Sequence, residues 1–234
     1  MNGFIIKIGI VIYSLAIANL IFANENAVSP ARFFENGEEL LSKMDFPEDS
    51  FDGTVIVRGA ADISRGGRST TLVFYSDSNN RGIFKPYENA IRKAFGRRLK
   101  VAPAIVNGKK KRVWFNFSVV FENNQGSKSI SIHQNLLYNT DSYGRNYIDP
   151  QRYDFEPFPD NCRRKSFREP AMVWAAANID EYGNPTAPRI VAGEASDSCK
   201  RTLIELLLNS SFIPAMHGDK FVSANYVEAW FTSY

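Results

Sequence analysis

The sequence predicts an α+β protein built from two copies of one unit, in the order strand, strand, helix, Pro-Ala turn, strand. A Pro-Ala pair followed by a short loop occurs twice, at 103–108 and at 212–218. Apolar and polar side chains alternate from 111 to 121, which is the period of a half-buried strand. Apolar residues recur every four positions from Tyr87 to Leu99, which is the period of an amphipathic helix. Duplication is the simplest account of the repeated order.

The first copy opens with a hairpin. Two strand-like runs, 55–63 and 69–75, flank the Gly-Gly turn at 65–68. The helix is expected to begin at Pro86, because proline is favoured at the first helical position. The face of the closing strand that is expected to be buried comprises Val113, Phe115, Phe117, Val119 and Phe121. The opposite face comprises Arg112, Trp114, Asn116 and Ser118.

The second copy repeats this order towards the C-terminus. Strands are expected at 171–179 and 189–193, on either side of a turn at 180–185. Ser196 or Asp197 is expected to cap the helix that follows. In the closing strand the residues expected to face the core are Val227, Ala229 and Phe231. Those expected to face away from it are Tyr226, Glu228 and Trp230.

The repeat divides the chain into two domains and three further segments. Many aromatic residues lie between the copies, so we expect that connecting segment to pack on a domain, since free linkers contain few of them. A short helix is expected at 31–43 in the lead-in to the first domain. The boundaries are 1–23 for a leader, 24–52 for the lead-in, 53–121 for the first domain, 122–169 for the connecting segment and 170–234 for the second domain.

The N-terminus has the pattern of a secretory signal peptide. Lys7 precedes an uncharged apolar run from Ile8 to Phe22, and cleavage is expected near Ala23. As a helix this run would span roughly 22 Å, less than the roughly 30 Å hydrocarbon core of a bilayer. The sequence therefore predicts an exported, periplasmic protein. The alternative is that the run is retained as an anchor, which places the protein on the inner membrane facing the periplasm.

Charge and cysteine content limit the partners and the compartment. The formal net charge of +3 is too small to indicate a nucleic acid or a membrane surface as a partner. A membrane contact is expected only if the N-terminal run is retained. The two cysteines, Cys162 and Cys199, are expected to form a disulfide, because an exported protein meets an oxidising compartment. The alternative is two buried or unpaired thiols.

The residues point to no catalytic, metal or cofactor site. His133 and His217 lie in different segments, away from other metal-ligating residues. Glycine-rich phosphate loops and nucleophile elbows have no counterpart in the sequence. We therefore expect a protein that is not an enzyme. Trp114 and Trp230 are either aromatic anchors for a partner or residues that pack under a neighbouring segment, whereas Trp174 is expected only to pack.

Both copies end in a signature that resembles the TonB C-terminal domain. In the first copy it runs from Pro103-Ala104 through Asn107-Gly108 to Val113-Trp114. The second copy is similar, with Pro214-Ala215, a longer loop and Val227 to Trp230. The resemblance implies that each copy is a small α+β domain, in which one helix packs on a face of a three-stranded antiparallel sheet.

The resemblance also implies a function in which the last strand of a domain pairs with a segment of a partner protein. An edge strand offers unpaired backbone groups, and its alternate side chains select the guest. We therefore expect a periplasmic, non-catalytic binding or adaptor protein with a cell-envelope or outer-membrane transport protein as partner. The alternative is an inner-membrane-anchored component of an outer-membrane transport system. The partner-binding residues that the resemblance implies are Arg112, Trp114, Asn116, Ser118, Tyr226, Glu228 and Trp230.

Overall fold

The computed structural model of the protein describes residues 28–33, 37–48, 52–75, 81–155, 162 and 172–231. Within these residues the chain is mostly β, with four sheets and four helices. The helices are α1 (Gly37–Leu41), α2 (Arg81–Phe95), α3 (Thr140–Tyr143) and α4 (Asp197–Leu208). The strands are β1 (Gly53–Ile63), β2 (Ser69–Tyr75), β3 (Ala104–Val106), β4 (Lys109–Lys111), β5 (Val113–Asn124), β6 (Ser127–His133), β7 (Tyr147–Ile148), β8 (Gln151–Tyr153), β9 (Met172–Ile179), β10 (Pro185–Ala192), β11 (Ser211–Ile213), β12 (Ala215–His217), β13 (Lys220–Val222) and β14 (Ala224–Phe231).

Strand β5 is the centre of a six-stranded antiparallel sheet, which we call the large sheet. Its strand order is β11, β8, β5, β1, β2, and β6 also pairs with β5. On one side the whole length of β1 pairs with residues 113–123 of β5. On the other side β8 meets β5 at Val113, and β6 pairs with residues 118–124. Strand β5 therefore has neighbours on both sides.

Helix α2 covers one face of the large sheet. Phe115, Phe117 and Phe121 are fully buried there, and the ring of Phe117 lies 5.5 Å from that of Phe95 in the helix. Burying side chains of this size stabilises the fold by roughly 1.5–3 kcal/mol each. Gly59 faces Phe117 across the ladder, and a Cβ there would lie 2.5 Å from a ring carbon. Glycine at this position therefore lets the aromatic ring lie flat on the sheet.

The small sheet has three antiparallel strands in the order β10, β9, β14. Helix α4 packs on one of its faces through Leu203 and Leu207, which are fully buried. The Ser196 side chain caps this helix by accepting a hydrogen bond from the backbone N–H of Cys199 at 3.2 Å. The cap satisfies one of the free N–H groups at the helix start and so fixes where α4 begins.

The large and small sheets pack face to face through the faces that the helices leave open. Ala60 of the large sheet and Ala229 of the small sheet belong to one buried cluster, together with Leu136 from the loop after β6. Trp114 and Trp174 pack against the same cluster. The layers therefore run α2, large sheet, small sheet, α4.

The predicted fold class is wrong. The described residues do not form two tandem domains, each with a three-stranded sheet and one helix. Strands β6 and β8 from the connecting segment, and β11 from the second copy, join the sheet of the first copy. The reason is that β5 has one side that β1 leaves unpaired, and backbone N–H and C=O groups there need partners when the strand is buried.

Several local predictions are confirmed and others need correction. The hairpin of β1 and β2 and the strand Met172–Ile179 lie where the pattern indicates. Helix α2 begins at Arg81, so Pro86 lies inside it rather than at its first position. Strand β10 begins at Pro185 instead of residue 189. Residues 31–33 are not helical, because the backbone of Arg32 bridges to Ala102, and among the described residues of the lead-in the helix is α1.

The disulfide between Cys162 and Cys199 is confirmed, with Cα atoms 4.7 Å apart. Both residues are buried in the core between α4 and the small sheet, and Cys199 belongs to the first turn of that helix. A disulfide of this kind is typical of proteins exported to an oxidising compartment. The predicted leader at 1–23 lies outside the described residues. Among the helices that are described, none has the length and apolar character needed to cross a membrane.

Candidate functional site

Of the residues predicted for partner binding in the first copy, those on β5 lie inside the molecule rather than on a free edge, and Arg112 lies exposed just before that strand. Arg112 forms an ion pair with Asp62 of β1. Trp114 is half-buried between the sheets. Asn116 and Ser118 are buried, and they hydrogen-bond to neighbouring backbone. The Asn116 amide donates to the carbonyl of Val227 at 3.2 Å, and the Ser118 hydroxyl donates to that of Asn135 at 2.6 Å. The predicted exposure of Asn116 and Ser118 is therefore wrong, and partner binding through these residues stays a prediction.

Strand β14 is an edge of the small sheet, but part of its outer backbone already has partners. The Asn139 side chain pairs with the backbone of Asn225 in both directions: its Nδ2 donates to the carbonyl at 3.0 Å, and its Oδ1 accepts from the N–H at 3.1 Å. Asn116 occupies the next outward carbonyl, that of Val227. Two asparagine side chains thus take the place that a guest strand would need.

The three side chains predicted to project from β14 are buried in a polar cluster with Arg152. Arg152 donates to both carboxylate oxygens of Glu228, at 3.0 and 2.8 Å, and lies 4.8 Å from the ring centroid of Trp230. The Tyr226 hydroxyl donates to the same carboxylate at 2.5 Å, and burial and this neighbouring charge hold its pKa well above the ordinary value. The face of β14 that was predicted to be exposed is therefore buried under α4, and the opposite face is buried against the large sheet through Ala229.

A cavity of about 510 Å³ lies between the two sheets, and we call it the inter-sheet cleft. The residues that define its walls are Tyr75, Phe84, Tyr138, Trp174, Arg58 and Arg189, with aliphatic side chains between them. Its volume falls within the roughly 300–1,000 Å³ of pockets that bind small molecules. The cleft is the space left where the large and small sheets diverge.

Aromatic rings from both sheets meet in this cleft. Tyr75 of β2 and Trp174 of β9 form an edge-to-face pair with centroids 4.7 Å apart. Tyr75 is 6% exposed, and burial raises the pKa of its hydroxyl, so that hydroxyl stays protonated at neutral pH. Tyr138, by contrast, is 46% exposed. The cleft thus has a fixed aromatic wall and an aromatic side chain at its mouth.

Two arginines add positive charge to these walls. The Nε of Arg58 donates to the Leu136 carbonyl at 2.9 Å, and its guanidinium lies 5.2 Å from the ring centroid of Tyr138. Arg189 donates to the Ala187 carbonyl at 3.3 Å and to the Asn225 side chain at 3.4 Å. None of the carboxylates in the described ranges forms an ion pair with either arginine.

The side chains that line the cleft supply apolar surface, aromatic faces and guanidinium groups. This combination suits a ligand with an apolar body. In the described part of the chain, no three His, Cys, Asp or Glu side chains come together in a group that could hold a metal ion.

Sequence reasoning missed the residues of the cleft. Arg58 is the one sequence signal for it, because it is a charged residue that interrupts the apolar start of β1, where Asp62 near the end is the other charge. Trp174 was expected only to pack, and it forms part of the wall. Tyr75, Trp174 and Arg189 are distant in sequence, and only the stacking of the sheets brings them together.

No protein-family model, curated protein or solved structure matches the chain. The resemblance to the TonB C-terminal domain therefore stays a prediction.

Proposed function

We propose that this is a periplasmic, non-catalytic binding protein that holds a small ligand in the inter-sheet cleft. The observation that carries the proposal is the cleft itself, whose aromatic walls come from both sheets. Export is supported by the signal-like N-terminus and by the Cys162–Cys199 disulfide.

A ligand cleft is favoured over edge-strand pairing as the mode of binding. Strand β5 has neighbours on both sides, and on β14 both backbone groups of Asn225 and the carbonyl of Val227 are bonded to asparagines. The inter-sheet cleft offers a concave, largely apolar surface with a few polar groups, which is how small-molecule sites are usually built. The contacts of β5 and β14 do not support edge-strand pairing with an envelope protein, and we do not propose that partner.

The proposal is tested by titrating the full exported protein with N-phenyl-1-naphthylamine, an uncharged dye that fluoresces in apolar sites. We expect saturable binding at one site. Val191 lines the cleft and is 47% exposed, so the substitution Val191→Trp should fill the cleft without disturbing the core. This variant should bind the dye about tenfold more weakly, which corresponds to about 1.4 kcal/mol.

The matched control is Leu208→Trp. Leu208 is 46% exposed at the end of α4 and does not line the cleft, so this variant should bind the dye as the wild type does. If the wild type does not bind the dye, or if both tryptophan variants bind it unchanged, the cleft is not the binding site and the proposal fails.

A further inference from the structure

We infer that the ligand of the inter-sheet cleft is an amphipathic anion, with a flat apolar body and one acidic group that pairs with Arg58 and Arg189. This inference rests on the proposed function and assigns the chemical class of the ligand.

The apolar body follows from the walls. Tyr75 and Trp174 present a rigid aromatic surface, and Tyr138 and Phe84 add further rings. Aromatic groups pack best against other flat or apolar groups, through offset or edge-to-face contacts. A strongly hydrated ligand without an apolar portion would leave this surface without a complementary partner.

The acidic group follows from the charge of the cleft. Its lining contains two guanidinium groups and no carboxylate among the described residues. Arg58 is half-buried, and its Nε is held by the Leu136 carbonyl. No described residue accepts a hydrogen bond from its two Nη atoms. A guanidinium offers paired donors that match a carboxylate, sulfonate or phosphate.

The positions of the arginines fix where the acidic group lies. Arg58 belongs to the large sheet and Arg189 to the small sheet, so the two positive charges come from opposite walls. Arg189 is exposed and Arg58 is held against the exposed ring of Tyr138. The acidic group therefore lies towards solvent at the mouth, and the apolar body lies inside.

Two dyes that differ by one sulfonate group separate this inference from the proposed function. N-Phenyl-1-naphthylamine is neutral, and 8-anilinonaphthalene-1-sulfonate is the same body with a sulfonate. Apolar transfer alone favours the neutral dye. If Arg58 and Arg189 pair with the acidic group, the sulfonate dye should instead bind the full exported protein about tenfold more tightly than the neutral one.

The variants Arg58→Gln and Arg189→Gln should each weaken binding of the sulfonate dye, by about tenfold for Arg58, and should weaken it more than they weaken binding of the neutral dye. The control is Arg201→Gln, since Arg201 is exposed on α4, on the far side of the small sheet. It should change neither affinity, and added salt should weaken only the sulfonate dye.

Two failures are distinguishable. Equal binding of both dyes, or sulfonate binding that is insensitive to both arginine variants, overturns the anionic ligand and leaves the cleft as a binding site. If neither dye responds to Val191→Trp, the cleft does not bind these molecules, and the proposed function and the inference fall together.

Discussion

Asp149 is a buried acid whose protonation affects the stability of the fold. It lies between β7 and β8 and is 4% exposed. The Leu136 N–H donates to its carboxylate at 2.9 Å and the Asn116 amide donates at 3.4 Å. Burial nevertheless raises its pKa from the ordinary value of 3.8 to about 7. The folded protein therefore holds a proton that the unfolded chain has already lost at pH 5 or 6.

Because the pKa of Asp149 is higher in the folded protein than in the unfolded chain, the protein should lose stability as the pH rises. The stabilising contribution of protonated Asp149 is complete below pH 3.8 and is lost as the pH rises through about 7. Asn at this position stays neutral, so the Asp149→Asn variant should lack this pH dependence. Between pH 5 and pH 8 the free energy of unfolding of the wild type should fall by about 2–3 kcal/mol more than that of the variant.

Urea denaturation of both proteins at the two pH values measures this difference. Asp219→Asn is a suitable control, because Asp219 is exposed on the turn between β12 and β13, and it should follow the wild type. Parallel pH profiles for the wild type and Asp149→Asn would show that Asp149 does not take up the proton.

At the residue scale, the sequence predicts which apolar side chains are buried better than it predicts the fate of polar ones. The alternating Val and Phe residues of β5 are buried as expected. Asn116, Ser118 and Glu228 are buried too, although they were expected to face outward. Hydrogen bonds and an ion pair from distant segments make their burial possible, and no local pattern reveals those partners.

At the element scale, the sequence predicts the ends of a helix or strand where a capping residue or a turn glycine sets them. Helix α4 begins at its Ser196 cap, and the β1–β2 hairpin turns at its glycines. The start of α2 was misplaced because Pro86 lies within the helix. Strands β8 and β11 are three residues each, too short for a period to be recognised, yet they extend the large sheet.

The disulfide connects the segment between the two copies to α4, and its loss should destabilise the protein. It joins Cys162, in the segment that enters the second copy, to the first turn of α4, and it closes a sequence separation of 37 residues. In the loop-closure model a bridge of this length stabilises the fold by roughly 3–4 kcal/mol. Reduction should therefore lower the free energy of unfolding by about that amount, as measured by chemical denaturation with and without a reducing agent.

The double variant Cys162→Ser/Cys199→Ser is the control. It should be less stable than the oxidised wild type and should not respond to the reducing agent. Two free thiols per denatured, unreduced chain in a thiol titration would contradict the pairing itself.

At the scale of the whole molecule, the arrangement of the sheets depends on contacts that no sequence pattern specifies. The repeated order of elements predicted two separate units. Instead β11 leaves the second copy to pair with β8, and the sheets stack through Ala60, Leu136 and Ala229. The inter-sheet cleft exists only because of that stacking. For this reason its residues could not be grouped from the sequence, and the resemblance to TonB domains pointed to edges that are not free.

The ion pair of Arg152 and Glu228 links the stability of the large sheet to that of the small sheet. Arg152 belongs to the large sheet and Glu228 to the small sheet, and each side chain is 2% exposed. Removing one member of a buried pair leaves an uncompensated charge, which costs about 3–5 kcal/mol. The Glu228→Ala variant should therefore lose about that much stability, because Arg152 would keep its charge without a partner and Tyr226 would lose its acceptor.

The shape of the unfolding curve also tests whether the Arg152–Glu228 pair couples the two sheets. Since the pair joins a strand of each sheet, both sheets should lose stability together, and urea denaturation should give one transition shifted to lower urea concentration. The control is Asp45→Ala, which breaks an ion pair with Lys93 whose two side chains are each 72% exposed, and such surface pairs contribute at most about 1 kcal/mol. A loss of stability for Glu228→Ala no larger than that of the control would mean that the pair does not join the sheets. Two separate transitions would mean that the sheets are independent, and the cleft between them would then lack the fixed walls that ligand binding requires.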